Sequence, residues 1–126
     1  MAATALSVLG IMPLSTIPAA FNPGTSPVCK WAMTVDAAHA NGIWAGVCGE
    51  IAGDPVLAPL LVGLGVDELS AAPSAIDAVK YIIRRVKNEE ARALANFALQ
   101  CESPSEISAR CQEFAYQTAP SLFENK

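Results

Sequence analysis

The stretch VCGEIAGDP, Val47 to Pro55, decides how this chain is read. An apolar run, Ile43 to Val47, leads into it, and a leucine-rich run, Leu57 to Leu64, follows it. That order spells strand, Gly-rich turn and helix, with Cys48 at the end of the strand. Asp54 offers a side-chain acceptor for a helix start, and Pro55 needs no N–H at a first helical position. In parallel α/β folds, reactive groups collect at the carboxyl ends of strands, where the loops gather. A thiol at position 48 is therefore placed for chemistry.

Downstream, Leu57, Leu60, Leu61 and Leu64 form the apolar stripe of the first helix, expected over 55–64. Pro59 falls in its second turn and removes an N–H, which predicts a bent or tight start. Gly63 and Gly65 close that helix, and Val66 to Ala71 reads as the next strand. Pro73 and Ser74 open another helix, with Ser74 and Asp77 as a near capping box and Ile76, Val79, Ile83 and Val86 as its apolar face. Segment 43–86 is thus predicted to be strand–helix–strand–helix, its two strands parallel and adjacent. The basic Arg84, Arg85 and Lys87 near the helix end complement its dipole without any phosphate ligand.

Two further helices are expected beyond it. Asn88 is placed to cap the first, whose apolar face is Ala91, Leu94, Phe97, Ala98 and Cys101. Ser103 and Glu106 form a full capping box, with Pro104 at the first helical position, and Ile107, Cys111, Phe114 and Ala115 follow on one face. Ala119 to Lys126 is expected to fray. Upstream, Val28, Trp31, Ala32, Val35 and Ala38 recur at helical spacing, and Gly42 is placed to end that helix. His39 is the only histidine. It reads as a catalytic base or, more plainly for a helical residue four after Val35, as a packing or surface residue.

A chain of 126 residues is normally one domain with one core. A net charge of −4 argues against nucleic acid, which needs a basic face to neutralise phosphates. The four cysteines show no CxxC pair and no histidine at zinc spacing, so reduced thiols in a cytoplasm are the plain reading. Residues 1–27 carry Pro13, Pro18, Pro23 and Pro27, which set them apart as an irregular segment. Their apolar run ending at Ala19 and Ala20 imitates a signal peptide but lacks a basic start. No apolar run is long enough to span a membrane.

The sequence VCGEIAGDPVLAPLLVGLGVDELSAAPSAIDAVK, with the upstream MTVDAAHANGIWAG, resembles enzyme I, the phosphoenolpyruvate–protein phosphotransferase family of the bacterial sugar phosphotransferase system. The resemblance runs from about Met33 to Lys87 and continues weakly in ARALANFAL. It implies an α/β fold, the C-terminal part of a TIM-type (β/α)8 barrel: about two strands with their helices plus C-terminal helices over 28–126. It also implies a reaction, phosphoryl transfer from phosphoenolpyruvate to an enzyme histidine with release of pyruvate. Family analogy gives Cys48 the role of general acid towards the enolpyruvate carbon. Gly49 then removes bulk beside it, and Glu50 holds the turn by hydrogen bonds.

The complete family enzyme uses Mg²⁺, phosphate-binding arginines, a phosphohistidine and the phosphocarrier protein HPr, and it dimerises through its barrel. No arginine and no acidic cluster precedes Cys48 here. The chain alone is therefore expected to bind no Mg²⁺ and to transfer no phosphate. Where the family reads SMSP at a strand end, this chain reads Ser70-Ala-Ala-Pro73, which changes the packing at that rim. Two functions stay open: a fragment of the phosphotransferase, catalytic by descent, or a non-catalytic interaction and dimerisation module made from the same barrel.

Overall fold

The computed structural model describes residues 6–7 and 27–124. Two strands, β2 (Ala45–Cys48) and β3 (Glu68–Ser70), pair in parallel with Gly46, Val47 and Cys48 opposite Glu68, Leu69 and Ser70. This is the adjacent parallel pair expected from the two apolar runs. A third strand, β1 (Leu6–Ser7), pairs in parallel with the other side of β2, giving the order β1-β2-β3. The segment set aside as irregular thus contributes a short edge strand; the remainder of 1–26 lies outside the described residues.

Helices alternate with these strands: α1 (Pro27–Ala40), α2 (Ala58–Gly63) and α3 (Pro73–Ile83), followed by α4 (Asn88–Gln100), α5 (Pro104–Thr118) and a closing 3-10 turn, Pro120–Leu122. Gly42, at φ 69°, ends α1 in the left-handed region, and its N–H reaches the His39 carbonyl. β2 starts later than the apolar run. Ile43 and Trp44 precede it and are exposed, whereas Ala45 and Val47 are buried against the helices.

Along a strand, successive side chains point to opposite faces. Val47 packs with Ala52 and Leu61, and its register partner Leu69 packs against this cluster and against Ala58, Val79 and Ile82. Ala45 packs with Val35 and Ala38 of α1. One face of the sheet is therefore covered by α1, α2 and α3. Gly46, Cys48, Glu68 and Ser70 alternate onto the other face.

α2 begins at Ala58, not at Pro55. Pro59 has no N–H to give the Pro55 carbonyl, so the chain from Asp54 makes a separate turn first. Val56 N–H donates to Asp54 Oδ1 at 2.8 Å, and Leu57 and Ala58 donate to the Asp54 carbonyl. Leu60, Leu61 and Leu64 are buried as expected.

Elsewhere two expected caps are absent and one is made. α3 has Ala72 at its N-cap and α4 has Lys87, neither with a side-chain bond, so Ser74 and Asn88 lie inside the helices they were expected to introduce. Ser103 does cap α5, its Oγ accepting from Glu106 N–H at 3.4 Å. The Glu106 carboxylate takes the Cys101 thiol instead of returning to the Ser103 backbone.

The apolar faces also shift. In α3 the fully buried residue is Ile82, with Ile76 and Ile83 only partly covered; in α4 Phe97 is exposed and Ala95 is buried. A Cβ on Gly63 would fall inside the Ala91 carbonyl and 3.1 Å from the Ala95 methyl. α2 and α4 thus meet backbone to backbone, and small residues outrank large ones at that contact. Within the expected fraying segment, residues 119–124 are docked, and 125–126 lie outside the described residues. Ala119 is buried, Ser121 bonds Tyr81 at 2.7 Å, and the Phe123 ring sits 4.5 Å from Tyr116.

Candidate functional site

Cys48 is the last residue of β2, exposed at the carboxyl end of the sheet. Two features carry the chain away from it. Gly49 takes φ 97°, a conformation that a side chain resists, and its N–H donates across to the Ser70 carbonyl at 3.2 Å. The turn then tightens, with Gly53 N–H donating to the Glu50 carbonyl at 3.1 Å and Asp54 N–H to the Ile51 carbonyl at 3.3 Å. Ala52 is fully buried beneath it.

Glu50 therefore holds the turn through its main-chain carbonyl, while its side chain is exposed. Gly53 seats the turn on the next rim. A Cβ there would lie 3.0 Å from the Ala75 methyl and 3.4 Å from Ala71. The small residues after Ser70 are what let the 48–54 turn lie flat against the start of α3.

His39 is not brought to Cys48. Its Nε2 lies 2.6 Å from Asp67 Oδ2, and the same oxygen accepts Ala45 N–H at 2.9 Å. Ala45 begins β2, so this pair closes the amino end of the sheet. Asp67 is held below the usual carboxylate range, first by the Ala45 N–H and then by His39.

The other cysteines lie elsewhere. Cys111 is buried among Val28, Leu60, Leu94 and Ile107, and burial pushes its thiol up to about 11, helped by the Asp54 charge. Cys101 is partly buried, its sulfur 3.3 Å from Glu106 Oε2. Cys29 sits on α1 with its sulfur 4.0 Å from the Leu99 carbonyl. None of the four is in a disulfide. Arg85 stacks 3.5 Å over the Tyr81 ring and donates to the Tyr81 carbonyl, the helix-end role read from the sequence.

Two residues at the rim had no chemical role assigned from the sequence, although Ser70 opens the Ser70-Ala-Ala-Pro73 strand end. Glu68 and Ser70 stand on the same face as Cys48, and Ser70 Oγ donates to Glu68 Oε1 at 3.0 Å. The period of two in Glu68-Leu69-Ser70, with the apolar residue in the middle, is the signal that places them. Among the described residues no three His, Cys, Asp or Glu side chains converge to hold a metal ion. Among the described residues no helix is long and apolar enough to cross a membrane.

A parallel-stranded α/β unit with a thiol at a strand's carboxyl end defines a class of sites in which the strand end faces a small ligand. Comparison with known proteins makes the class specific. The family model described as "PEP-utilising enzyme, PEP-binding domain" matches residues 16–88, and the chain belongs to that family. It is 40% identical over 85 residues to the phosphoenolpyruvate-protein phosphotransferase of Haemophilus influenzae, covering 68% of this chain and 15% of the relative. A multiphosphoryl transfer protein of Escherichia coli O6:H1 is 46% identical over 80 residues, 64% of this chain and 10% of the relative. The phosphoenolpyruvate-protein phosphotransferase of Staphylococcus carnosus is 36% identical over 94 residues, 75% of this chain and 16% of the relative. The chain thus spans only a small part of the relatives it matches.

Proposed function

We propose that this chain supplies the proton-donating wall of a phosphoenolpyruvate-dependent phosphotransferase, with Cys48 as the general acid. The observation that carries this reading is the exposed Cys48 thiol at the carboxyl end of β2, in a chain of this family. Cleavage of the phosphoenolpyruvate P–O bond sends the phosphoryl group to a histidine of the complete enzyme and releases enolpyruvate. The Cys48 S–H then gives its proton to the methylene carbon, a C–H bond forms, pyruvate leaves, and the thiolate recovers a proton from solvent. Phosphoryl transfer itself needs cations that neutralise the phosphate. The four arginines of this chain, Arg84, Arg85, Arg92 and Arg110, all follow β3.

In this reading the sheet is part of a (β/α)8 barrel completed by other segments, and it works in the cytoplasm. Phosphoenolpyruvate is the donor, Mg²⁺ serves the complete enzyme, and the phosphocarrier protein HPr receives the phosphoryl group downstream. The barrel unit self-associates. The isolated chain neither binds phosphoenolpyruvate tightly nor transfers its phosphate, and calorimetry with Mg²⁺ and phosphoenolpyruvate should show no saturable heat.

The decisive experiment puts this segment in place of its counterpart in an intact phosphotransferase. Cys48→Ala should then slow pyruvate formation by about 10²–10⁴ while phosphoenolpyruvate binding changes little. Cys29→Ala and Cys101→Ala serve as controls, each on or beside a helix. Near-normal turnover of the Cys48 variant, or an equal loss in a control, would refute the role.

A further inference from the structure

We infer that Gly53 and Ala75 are positioning residues: their close contact sets where the 48–54 turn, and with it Cys48, stands at the end of the sheet. The functional sense of this inference rests on the general-acid reading of Cys48. It starts from two glycines present for different reasons. Gly49 takes φ 97°, whereas Gly53 does not take a positive φ. The backbone at 53 would therefore accept an alanine. What excludes one is space: a Cβ there would stand 3.0 Å from the Ala75 methyl and 3.4 Å from that of Ala71. Glycine at 53 serves contact, not conformation.

The turn passes that contact on as a unit. Gly53 N–H donates to the Glu50 carbonyl at 3.1 Å, and Gly49 N–H to the Ser70 carbonyl at 3.2 Å. Between these bonds Ala52 is fully buried with Val47 and Leu61, and Ile51 and Trp31 pack against the same cluster. Ala52 is thus a fixed point. On one side of it Gly53 bears on α3; on the other Gly49 and Cys48 lead back into β2. Pushing Gly53 off α3 tilts the turn about Ala52 and strains the Gly49–Ser70 bond, which lies directly beside the thiol residue.

Ala75 takes the load on a stiff support. It lies in the first turn of α3, its N–H on the Ala72 carbonyl at 2.9 Å, and buried Val79 and Ile82 anchor the same helix. The start of α3 is therefore the reference surface, and the turn adjusts to it. A proton donor has to meet its carbon within a narrow range, and a misplacement of about 1 Å can cost about 10²-fold in rate. A methyl-sized seat one turn away from the thiol is a sensitive place to set that range.

The test uses the full chain and needs no phosphoenolpyruvate, so its outcome is separate from that of the phosphotransferase reading. Two signals report the turn: amide exchange at Gly49, resolved by NMR, and iodoacetamide labelling of Cys48 relative to Cys29, resolved by mass mapping. Gly53→Ala should raise both about fivefold or more, in line with one extra methyl in a packed site. Cys111, buried in the core, should label no faster in that variant. Adding Ala75→Gly removes the obstructing methyl and should return both signals towards their native values. Adding Ala78→Gly instead imposes a similar helix cost away from the contact and should return neither.

Unchanged signals in Gly53→Ala would overturn the proposal. So would a rise that Ala75→Gly does not repair, or that Ala78→Gly repairs equally well. Cys111 labelling that climbed in step with Cys48 would show general loosening in place of a local seat, and would overturn it too.

Discussion

His39 Nε2 and Asp67 Oδ2 lie 2.6 Å apart at the amino end of the sheet, the end away from Cys48. The carboxylate also holds the first N–H of β2, so it joins α1, β2 and the approach to β3 at one point. The histidine that looks like a catalytic base in the sequence is a structural partner instead.

Asp67→Ala should lower stability by about 0.5–1 kcal/mol, because both side chains of the pair are partly solvated, read as a shift in the urea midpoint near neutral pH. The pH dependence has a fixed sign. Asp67 is held below its ordinary value of 3.8 in the folded chain, by the Ala45 N–H first and His39 second. Its contribution is therefore full above that ordinary value and lost as pH falls through the lower folded one. The gap between the native chain and Asp67→Ala should be wide at about pH 6 and shrink in acid below 3.8. A gap that widened in acid would contradict the assignment.

Two glycines should fail for different reasons. Gly63→Ala forces a methyl into the Ala91 carbonyl and must push α4 off α2, at a cost of about 3 kcal/mol. At Gly49 a new Cβ meets nothing within 4 Å, but φ is 97°, so Gly49→Ala should cost about 1–2 kcal/mol of backbone strain alone. Shortening Ala91 to glycine leaves its carbonyl in place and should not rescue Gly63→Ala. Differential denaturation of the three variants checks both claims.

Capping gives a paired comparison within one chain. Ser103→Ala deletes the acceptor for Glu106 N–H and should cost about 1 kcal/mol. Ser74→Ala, at an exposed residue that makes no cap, should stay within about 0.5 kcal/mol. Equal losses at both sites would mean that the Ser103 bond contributes nothing of its own.

Thiol labelling should separate the cysteines without any mutation. Cys111 is fully buried, with its thiol pushed up to about 11, so iodoacetamide should reach it only through unfolding. Exposed Cys48 should label in the native chain. Mass-mapped kinetics with and without urea read the order directly; early Cys111 labelling in the native chain would count against its place in the core.

The sheet was legible because two apolar runs, each leading into a glycine or proline punctuated turn, leave few other arrangements. Cys48 at a strand end followed from the same pattern. What the sequence hid was contact by size. A hydrophobic count favours Phe97 over Ala95, yet the approach of α2 to α4 at Gly63 admits only the alanine; the run Ala91, Ala95, Ala98 beside a helical glycine was the available signal. Asp54 looked like a helix cap and proved to be a turn cap, because the missing N–H of Pro59 delays the helix. Ser74, three residues before Asp77, has the spacing of a capping box, but Pro73 is itself the first helical residue and Ala72 takes the N-cap position. The docking of Ala119 to Phe123 depends on Tyr81, far away in sequence, and no local pattern foretells it.

The alternation of side chains along β2 and β3 has an evolutionary consequence. Ala45, Val47 and Leu69 answer to the helix layer, while Gly46, Cys48, Glu68 and Ser70 answer to whatever occupies the other face. Folding and chemistry are thus selected on alternate letters of the same strands. A lineage that had lost the reaction but kept the fold would hold the first set apolar and let the second drift. One still under chemical selection would hold both. These two short strands therefore carry a record of which pressure acted, separable position by position.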